Sequence, residues 1–398
     1  NWFYWIKDDK KYGPPKFTTQ ELEQILNIPK GRGKYIPPGK SFRDLFDIPP
    51  AHADKKSLKI ASAFADWPPN DLQPPWSDVT YLRLYNYDYR QKNNYNYIAY
   101  NTIRYYDPEL AKKKHINHEL WNKIADIIPY YQKTFGIDGA MIDMGHALPN
   151  RLKSKIIKNA RDIDPAFAFW DENFDNKDET KKDGYNAVIG DAWYKITKRN
   201  GFRKIITSAL GKKPLPFFGA PETHNSPRYG YRNAEKKKSA WILFNILPNA
   251  IPFIHNGFEL NEKLPVNTGL NFNKKEIEIF SKQPLALFWK NSLNWDTSFN
   301  IVSFVLKIEE IKSKYPWIFN GNSLSILKTD NKKVLGFLKK DKHEIALVLF
   351  NTNFHKKERF CVNVRLSLSL FDLFEEKRID LANSFELGPG KTLLAIST

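Results

Sequence analysis

The segment Gly-Ile-Asp-Gly-Ala-Met-Ile-Asp-Met-Gly-His-Ala-Leu-Pro, residues 136–149, restricts the fold more than any other part of the chain. Its apolar centre, Ala140-Met141-Ile142, is short, is entered through Gly139 and stops on Asp143. That pattern predicts a brief buried strand that delivers a carboxylate at its C-terminal tip. Positions two apart in a strand share a face, so Met141 and Asp143 point the same way. Helical spacing flanks the segment on both sides. Leu120, Ile124, Ile127, Ile128 and Tyr131 recur before it and stop at Gly136. Leu152, Ile156, Ile157, Ala160 and Ile163 recur after it and stop at Asp164-Pro165. Helix, strand, carboxylate, helix, strand is the order of a parallel β/α barrel, whose chemistry sits at strand C-termini.

At 398 residues the chain has room for two or three domains and a sizeable core. No apolar run reaches the ~20 residues that span a bilayer, so no membrane partner is expected. The lone Cys361 excludes an internal disulfide framework and fits a reducing compartment. A net charge of +18 raises the question of a polyanion. The lysines, however, fall in short scattered runs (112–114, 236–238, 339–340) away from aromatic clusters, which reads as solvated surface rather than a nucleic-acid face. No metal-ligand spacing is present; His115 and His118 read as surface residues, and neither metal nor cofactor is expected.

Four aromatic residues crowd Trp2-Phe3-Tyr4-Trp5; such rings stack on sugars or bases, or edge a core. Residues 30–66 are rich in Gly and Pro, and Gly31-Arg-Gly-Lys34 lacks the spacing of a phosphate loop. A short ordered segment over 79–85 then gives way to Asn/Tyr-rich sequence up to Tyr106, read as surface loop. Strands are expected at 167–170, 187–193, 215–218 and 251–254, and helices at 239–247 and from Ile301. Several strands run into polar clusters: Asp171-Glu172-Asn173, Glu222-Thr-His-Asn225, and His255-Asn-Gly-Phe-Glu259. Beyond the turn Asn320-Gly321 the period changes to short strands at 334–338, 344–350, 360–364 and 392–396. The expected organisation is a partial (β/α)8 barrel over 1–320, with a loop-rich insertion at about 30–105, then an antiparallel β-sandwich over 321–398.

Asp143 and Glu172 lie 29 residues apart (172 − 143), about one strand–helix–strand step. Adjacent strands could hold their carboxyl groups ~5–5.5 Å apart, the separation of a retaining glycosidase. Spacing alone favours the plainer reading, strand-end acids that cap the following helix or pair with lysines.

At these residues the chain resembles the α-amylase superfamily, glycoside hydrolase family thirteen. Gly139-Ala-Met-Ile-Asp143 resembles its nucleophile strand, and Asp171-Glu172 after an aromatic strand its acid/base motif. Thr223-His224-Asn225 resembles its Asn-His-Asp motif, and 252–259 its last-strand motif of proline followed by glycine-x-glutamate. The wider texture is similar to bacterial maltosyltransferases, which move maltosyl units between α-1,4-glucans. The resemblance implies that Asp143 is the nucleophile, Glu172 the general acid/base and Asn225 the third motif position. It implies sugar contacts from His146 and His224, and draws Glu222, Met141, Arg228 and Glu259 into the substrate-binding set. The implied partner is an α-1,4-glucan or maltooligosaccharide, with no nucleic acid; oligomeric state is not readable.

Three departures qualify it. Met141 stands where the family has an arginine, a cation that keeps the nucleophile ionised. Asn225 stands where the family has its third acid; an amide keeps hydrogen bonding and loses charge. The family's first motif, expected just before Trp2, is absent, so the chain resembles the C-terminal part of such an enzyme, beginning after the third barrel strand. Two readings follow: an α-glucan-active enzyme working through a glycosyl-Asp143, or a relative that binds α-glucans without turnover.

Overall fold

The computed structural model describes residues 2, 5–7, 58–60, 82–86, 97–99, 103–105, 112–143, 145, 148–211, 213–231, 233–266, 271–280, 293–320, 324–341, 344–362, 369–380 and 384–397. His146, Phe3, Tyr4 and nearly all of 30–66 lie outside them. The chain divides into two compact units, Asn1–Gly190 and Asp191–Thr398.

In the first unit, β1 (Trp5–Lys7) pairs antiparallel with β2 (Leu58–Ile60). Where the Asn/Tyr-rich sequence predicts only loop, β3 (Tyr97–Ala99) and β4 (Ile103–Tyr105) form a second antiparallel pair. Helix α1 (His118–Phe135) starts where the Asn117 side chain accepts a hydrogen bond from the Leu120 N–H at 3.3 Å. It ends at Gly136, whose left-handed φ of 64° lets its N–H return to the Gln132 carbonyl. The face it buries differs from the expected stripe: Leu120, Trp121 and Ala125 are inside, while Ile127, Tyr131 and Phe135 are exposed. One bond fixes that rotation, since the Trp121 indole N–H donates to the Leu84 carbonyl at 2.8 Å and turns its side of the helix inward. Helix α2 (Asn150–Arg161) follows the expected pattern, burying Leu152, Ile156, Ile157 and Ala160; Ile163 lies past its end and is exposed. Between and after these helices run β5 (Gly139–Ile142), β6 (Ala168–Asp171) and β7 (Ala187–Val188), all parallel. Gly139 permits the close approach of the first two, because a Cβ there would stand 3.0 Å from the Ala168 carbonyl oxygen. The five-residue helix α3 (Asp178–Lys182) precedes β7. β7 is shorter than the sequence suggests: the chain turns at Gly190 (φ 68°) and Trp193 belongs to a helix.

The second unit opens with α4 (Ala192–Lys195) and α5 (Gly201–Leu210). The parallel pair β8 (Phe217–Gly219) and β9 (Ala250–Pro252) is joined by α6 (Ala234–Ile246). Then come α7 (Lys274–Phe280), α8 (Val302–Lys314) and α9 (Pro316–Phe319). The tail is antiparallel: β10 (Ser325–Leu327), β11 (Val334–Asp341), β12 (Glu344–Asn351), β14 (Ser369–Asp372), β15 (Lys377–Asp380) and β17 (Thr392–Ser397). They lie in the order β10-β11-β12-β17-β14-β15, beside a separate pair β13 (Glu358–Phe360) and β16 (Phe385–Leu387).

β12 reads Glu-Ile-Ala-Leu-Val-Leu-Phe-Asn, almost continuously apolar. Alternating side chains explain why. Ala346, Val348 and Phe350 pack with Trp241, Phe244, Ile308 and Ile318 of the helices, whereas Leu347 and Leu349 pack with Phe360, Leu370 and Leu393. The antiparallel tail expected from residue 321 is present, and its inner face shares one core with the helices of the second unit.

The lysine runs do not all face water. Lys112, Lys113 and Lys114 are exposed, but Lys237 and Lys339 are fully buried. The Lys237 ammonium donates to the Phe258 carbonyl at 2.8 Å, and that of Lys339 donates to the Asn320 carbonyl. Burial pushes both down to about 8; the Arg228 charge adds to this at Lys237, against the pull of Glu222, Glu259 and Glu262. Between about pH 8 and the ordinary lysine range the unfolded chain therefore binds more protons, and stability rises with pH. Denaturant unfolding from pH 8 to 9.5, below the onset of tyrosine ionisation, should show a gain of about 1.4 kcal/mol per pH unit for each lysine. Lys339→Met should remove one of the two contributions.

Candidate active site

In the first unit the ladder of β5 and β6 pairs Met141 with Trp170 and Ile142 with Asp171. The Glu172 N–H then donates to the Ile142 carbonyl at 3.3 Å, extending the pairing one step. Asp143 and Glu172 are the next residues of these two parallel strands, so they stand side by side at the C-terminal edge, in step with Met141 and Trp170. Asp143 is exposed and Glu172 half-buried. Met141, expected in a buried strand, is 45% exposed, and Ile142 is the residue that turns inward.

Tyr185, which the sequence did not single out, braces this edge together with Asp171 of the acid/base motif. A Cβ on Gly145 would fall 2.2 Å from the Tyr185 hydroxyl and 2.8 Å from Asp171 Oδ1, so only a hydrogen atom fits there. Tyr185 and Asp171 thus press on the backbone two residues beyond Asp143. Burial, then the charges of Asp171 and Asp183, raise the Tyr185 hydroxyl far above its ordinary range and keep it protonated. Trp193, at the end of the strand expected over 187–193, is 5% exposed and buried in the second unit, with little face to offer a sugar.

In the second unit, His224 and Asn225 sit at the tip of the loop that follows β8, exposed and half-buried respectively. The Asn225 N–H donates to Thr223 Oγ1 at 3.2 Å, and the Thr223 N–H to Ser226 Oγ at 2.8 Å, a local turn that shapes the tip. Glu222 closes the loop from below. One carboxylate oxygen accepts from Arg228 Nη1 at 2.8 Å and the other from the Tyr229 N–H at 2.7 Å. The side chains of this ion pair are 0% and 1% exposed. Glu222 and Arg228 are therefore occupied with each other and turned away from solvent; they tie the two ends of the loop together.

Arg228 also donates through Nε to the Leu264 carbonyl at 2.9 Å and through Nη1 to the Asn256 carbonyl at 2.7 Å, binding this loop to the one after β9. Glu259, in the latter loop, is half-buried; its main-chain carbonyl holds the Ile301 N–H, and its Oε2 has no hydrogen-bond partner among the described residues. Burial by itself would push the Glu222 carboxyl up. The adjoining Lys237 and Arg228 charges, with the hydrogen bond from Arg228, outweigh that and hold it below the usual carboxylate range. Among the described residues no group of three or more His, Cys, Asp or Glu could hold a metal, and no helix is long and apolar enough to cross a membrane.

No protein-family model matches the sequence, and no curated protein matches it either. Solved structures do. An α-amylase from Anoxybacillus aligns with TM-score 0.54 and 15% identity, over 71% of this chain and 63% of its own. An α-amylase from Geobacillus thermoleovorans, solved with acarbose, aligns with TM-score 0.55 and 12% identity, over 70% and 64%. The noncanonic maltogenic α-amylase AmyB from Thermotoga neapolitana aligns with TM-score 0.54 and 13% identity, over 73% and 71%. The fold is that of these α-amylases. It combines parallel β/α-barrel architecture with a C-terminal antiparallel β domain, as expected from the sequence. This chain spans less than two thirds of the length of the first two.

Glu222→Gln should cost about 3–5 kcal/mol in equilibrium unfolding, because it strands the buried Arg228 charge. Glu222→Gln with Arg228→Met should recover much of that loss. A depressed carboxylate stabilises above the ordinary carboxylate range and loses that contribution as pH falls through its folded value. The single variant should accordingly show a flatter loss of stability on the acid side.

Proposed function

We propose that this chain is an α-glucan-acting glycosidase or transglycosylase of the α-amylase superfamily, of the maltosyltransferase kind. It works with retention through a covalent glycosyl-Asp143. The observation that carries the reading is the parallel register that sets Asp143 and Glu172 side by side at the ends of neighbouring strands. Such a pair divides the labour of a retaining reaction. Asp143 attacks the anomeric carbon while Glu172 protonates the departing glycosidic oxygen; Glu172 then removes a proton from the incoming water or sugar hydroxyl. His224 and Asn225 serve as hydrogen-bonding groups for sugar hydroxyls, and His146 takes the like role its motif implies. The likeness to an α-amylase solved with acarbose supports an α-glucan substrate.

A second reading, an α-glucan binder without turnover, is favoured by one set of observations. Met141 brings no cation to Asp143, and Asn225 brings no charge. Glu222, the carboxylate nearest to Asn225 in sequence, is fully buried and held by Arg228, so it cannot replace the missing acid. A preorganised charge contact of this sort is typically worth ~10²–10³ in rate. Turnover of maltoheptaose should therefore be slow, and Met141→Arg with Asn225→Asp should raise it by more than either change alone. A fluorinated maltosyl donor should label Asp143, and Asp143→Asn should abolish both labelling and turnover. Binding by calorimetry with neither labelling nor turnover, even in the repaired variant, would establish the second reading instead.

A further inference from the structure

His255 follows β9 by three residues, in the polar cluster at that strand's C-terminal end, and the established motifs leave it without a role. Its Nδ1 lies 2.9 Å from Arg228 Nη1. A guanidinium has only donors, so Nδ1 can only accept there, sharing the two Nη1 hydrogens with Glu222 and the Asn256 carbonyl. Turned over, the ring would set a C–H against that N–H, and a proton on Nδ1 would meet a cation head-on. The Glu222 oxygen, 3.6 Å away, is too distant to accept a hydrogen bond from the ring. The imidazole is thus neutral, its proton is on Nε2, and its orientation is set by a buried arginine that is itself fixed by Glu222, Asn256 and Leu264. The inward edge of the ring meets side chains that are 0% and 1% exposed, yet the His255 side chain is 16% exposed.

We propose that His255 is a substrate-binding residue, whose Nε2–H, aimed by the buried Arg228–Glu222 pair, donates a hydrogen bond to a sugar hydroxyl of the bound α-glucan. This rests on the function proposed above. It gives the ion pair a purpose beyond closing the loop: a single-donor imidazole held in one tautomer distinguishes a hydroxyl, which accepts, from an ammonium, which cannot. The proposal also accounts for a neutral ring beside a guanidinium, an arrangement that brings no charge–charge stabilisation of its own.

Two isosteric substitutions separate binding from structure. His255→Asn places an amide oxygen near the position of Nδ1, keeping the acceptor for Arg228 and losing the outer donor. His255→Gln places an amide nitrogen near the position of Nε2, keeping the donor and losing the inner acceptor. With the full 398-residue chain and maltoheptaose as the probe, calorimetry should show affinity about 5- to 10-fold weaker for His255→Asn, the loss of one hydrogen bond, with melting temperature near that of the parent. His255→Gln should melt lower while binding within about 3-fold of the parent. Equal maltoheptaose affinity in the parent and His255→Asn overturns the assignment and leaves the proposed function standing. No binding by the parent overturns both. Nitrogen-15 spectra of histidine-labelled protein, assigned by the signal missing in His255→Asn, give an answer independent of ligand. An Nε2–H tautomer is expected for His255, and a proton on Nδ1 overturns the proposal.

Discussion

Parallel pairing is the constraint on which the candidate site depends. Strands that run the same way cannot be joined by a tight turn; each connection must carry the chain back across the layer, and helices do that here. The consequence is directional, because every strand of such a ladder ends on the same edge. Ile142 and Asp171 are register partners, so the residue after each is brought to that edge together with its neighbour. A carboxylate pair made this way needs no long-range coincidence. It needs only two strands of equal length and one acid after each.

That logic was legible in the sequence where the signal was local. The strand running into Asp143, the strand running into Glu172, the helix stop at Gly136 and the change to a two-residue period after Gly321 could all be read from spacing and turn chemistry. What failed was burial. The stripe of Ile127 and Tyr131 has the right period, but the Trp121 indole bond rotates the helix the other way. Lys237 and Lys339 read as solvated charges, since no local pattern announces that a carbonyl waits for each inside the fold. Glu222 and Arg228 were both drawn into the substrate-binding set, because the sequence does not show that the two, six residues apart, bind each other.

The loops after β8 and β9 show the same division. Their polar character was evident, and their lock was not. Arg228 reaches the Asn256 and Leu264 carbonyls and the His255 ring, contacts separated by 27 to 36 residues in the chain. Such links are set by tertiary packing, and periodicity carries no trace of them. A guanidinium suits this position, since its planar fork and permanent charge let it hold several acceptors in fixed directions where a lysine would pivot.

The core common to α5, α6, α8, α9 and the antiparallel sheet has a consequence for how this architecture can be altered. Modules joined by a linker can be exchanged, duplicated or deleted with little penalty to their neighbours. Here Trp241, Phe244, Ile308 and Ile318 find much of their complement in Phe337, Val348, Phe350 and Leu394. The C-terminal sheet is therefore not an appendage that lineages could swap freely. Its inner face and the helices against it form a matched surface, and a substitution on one side sets the terms for the other. Variation in this region should travel in pairs across the sheet–helix boundary, while the outward edges of the strand-end loops stay free to diverge one residue at a time.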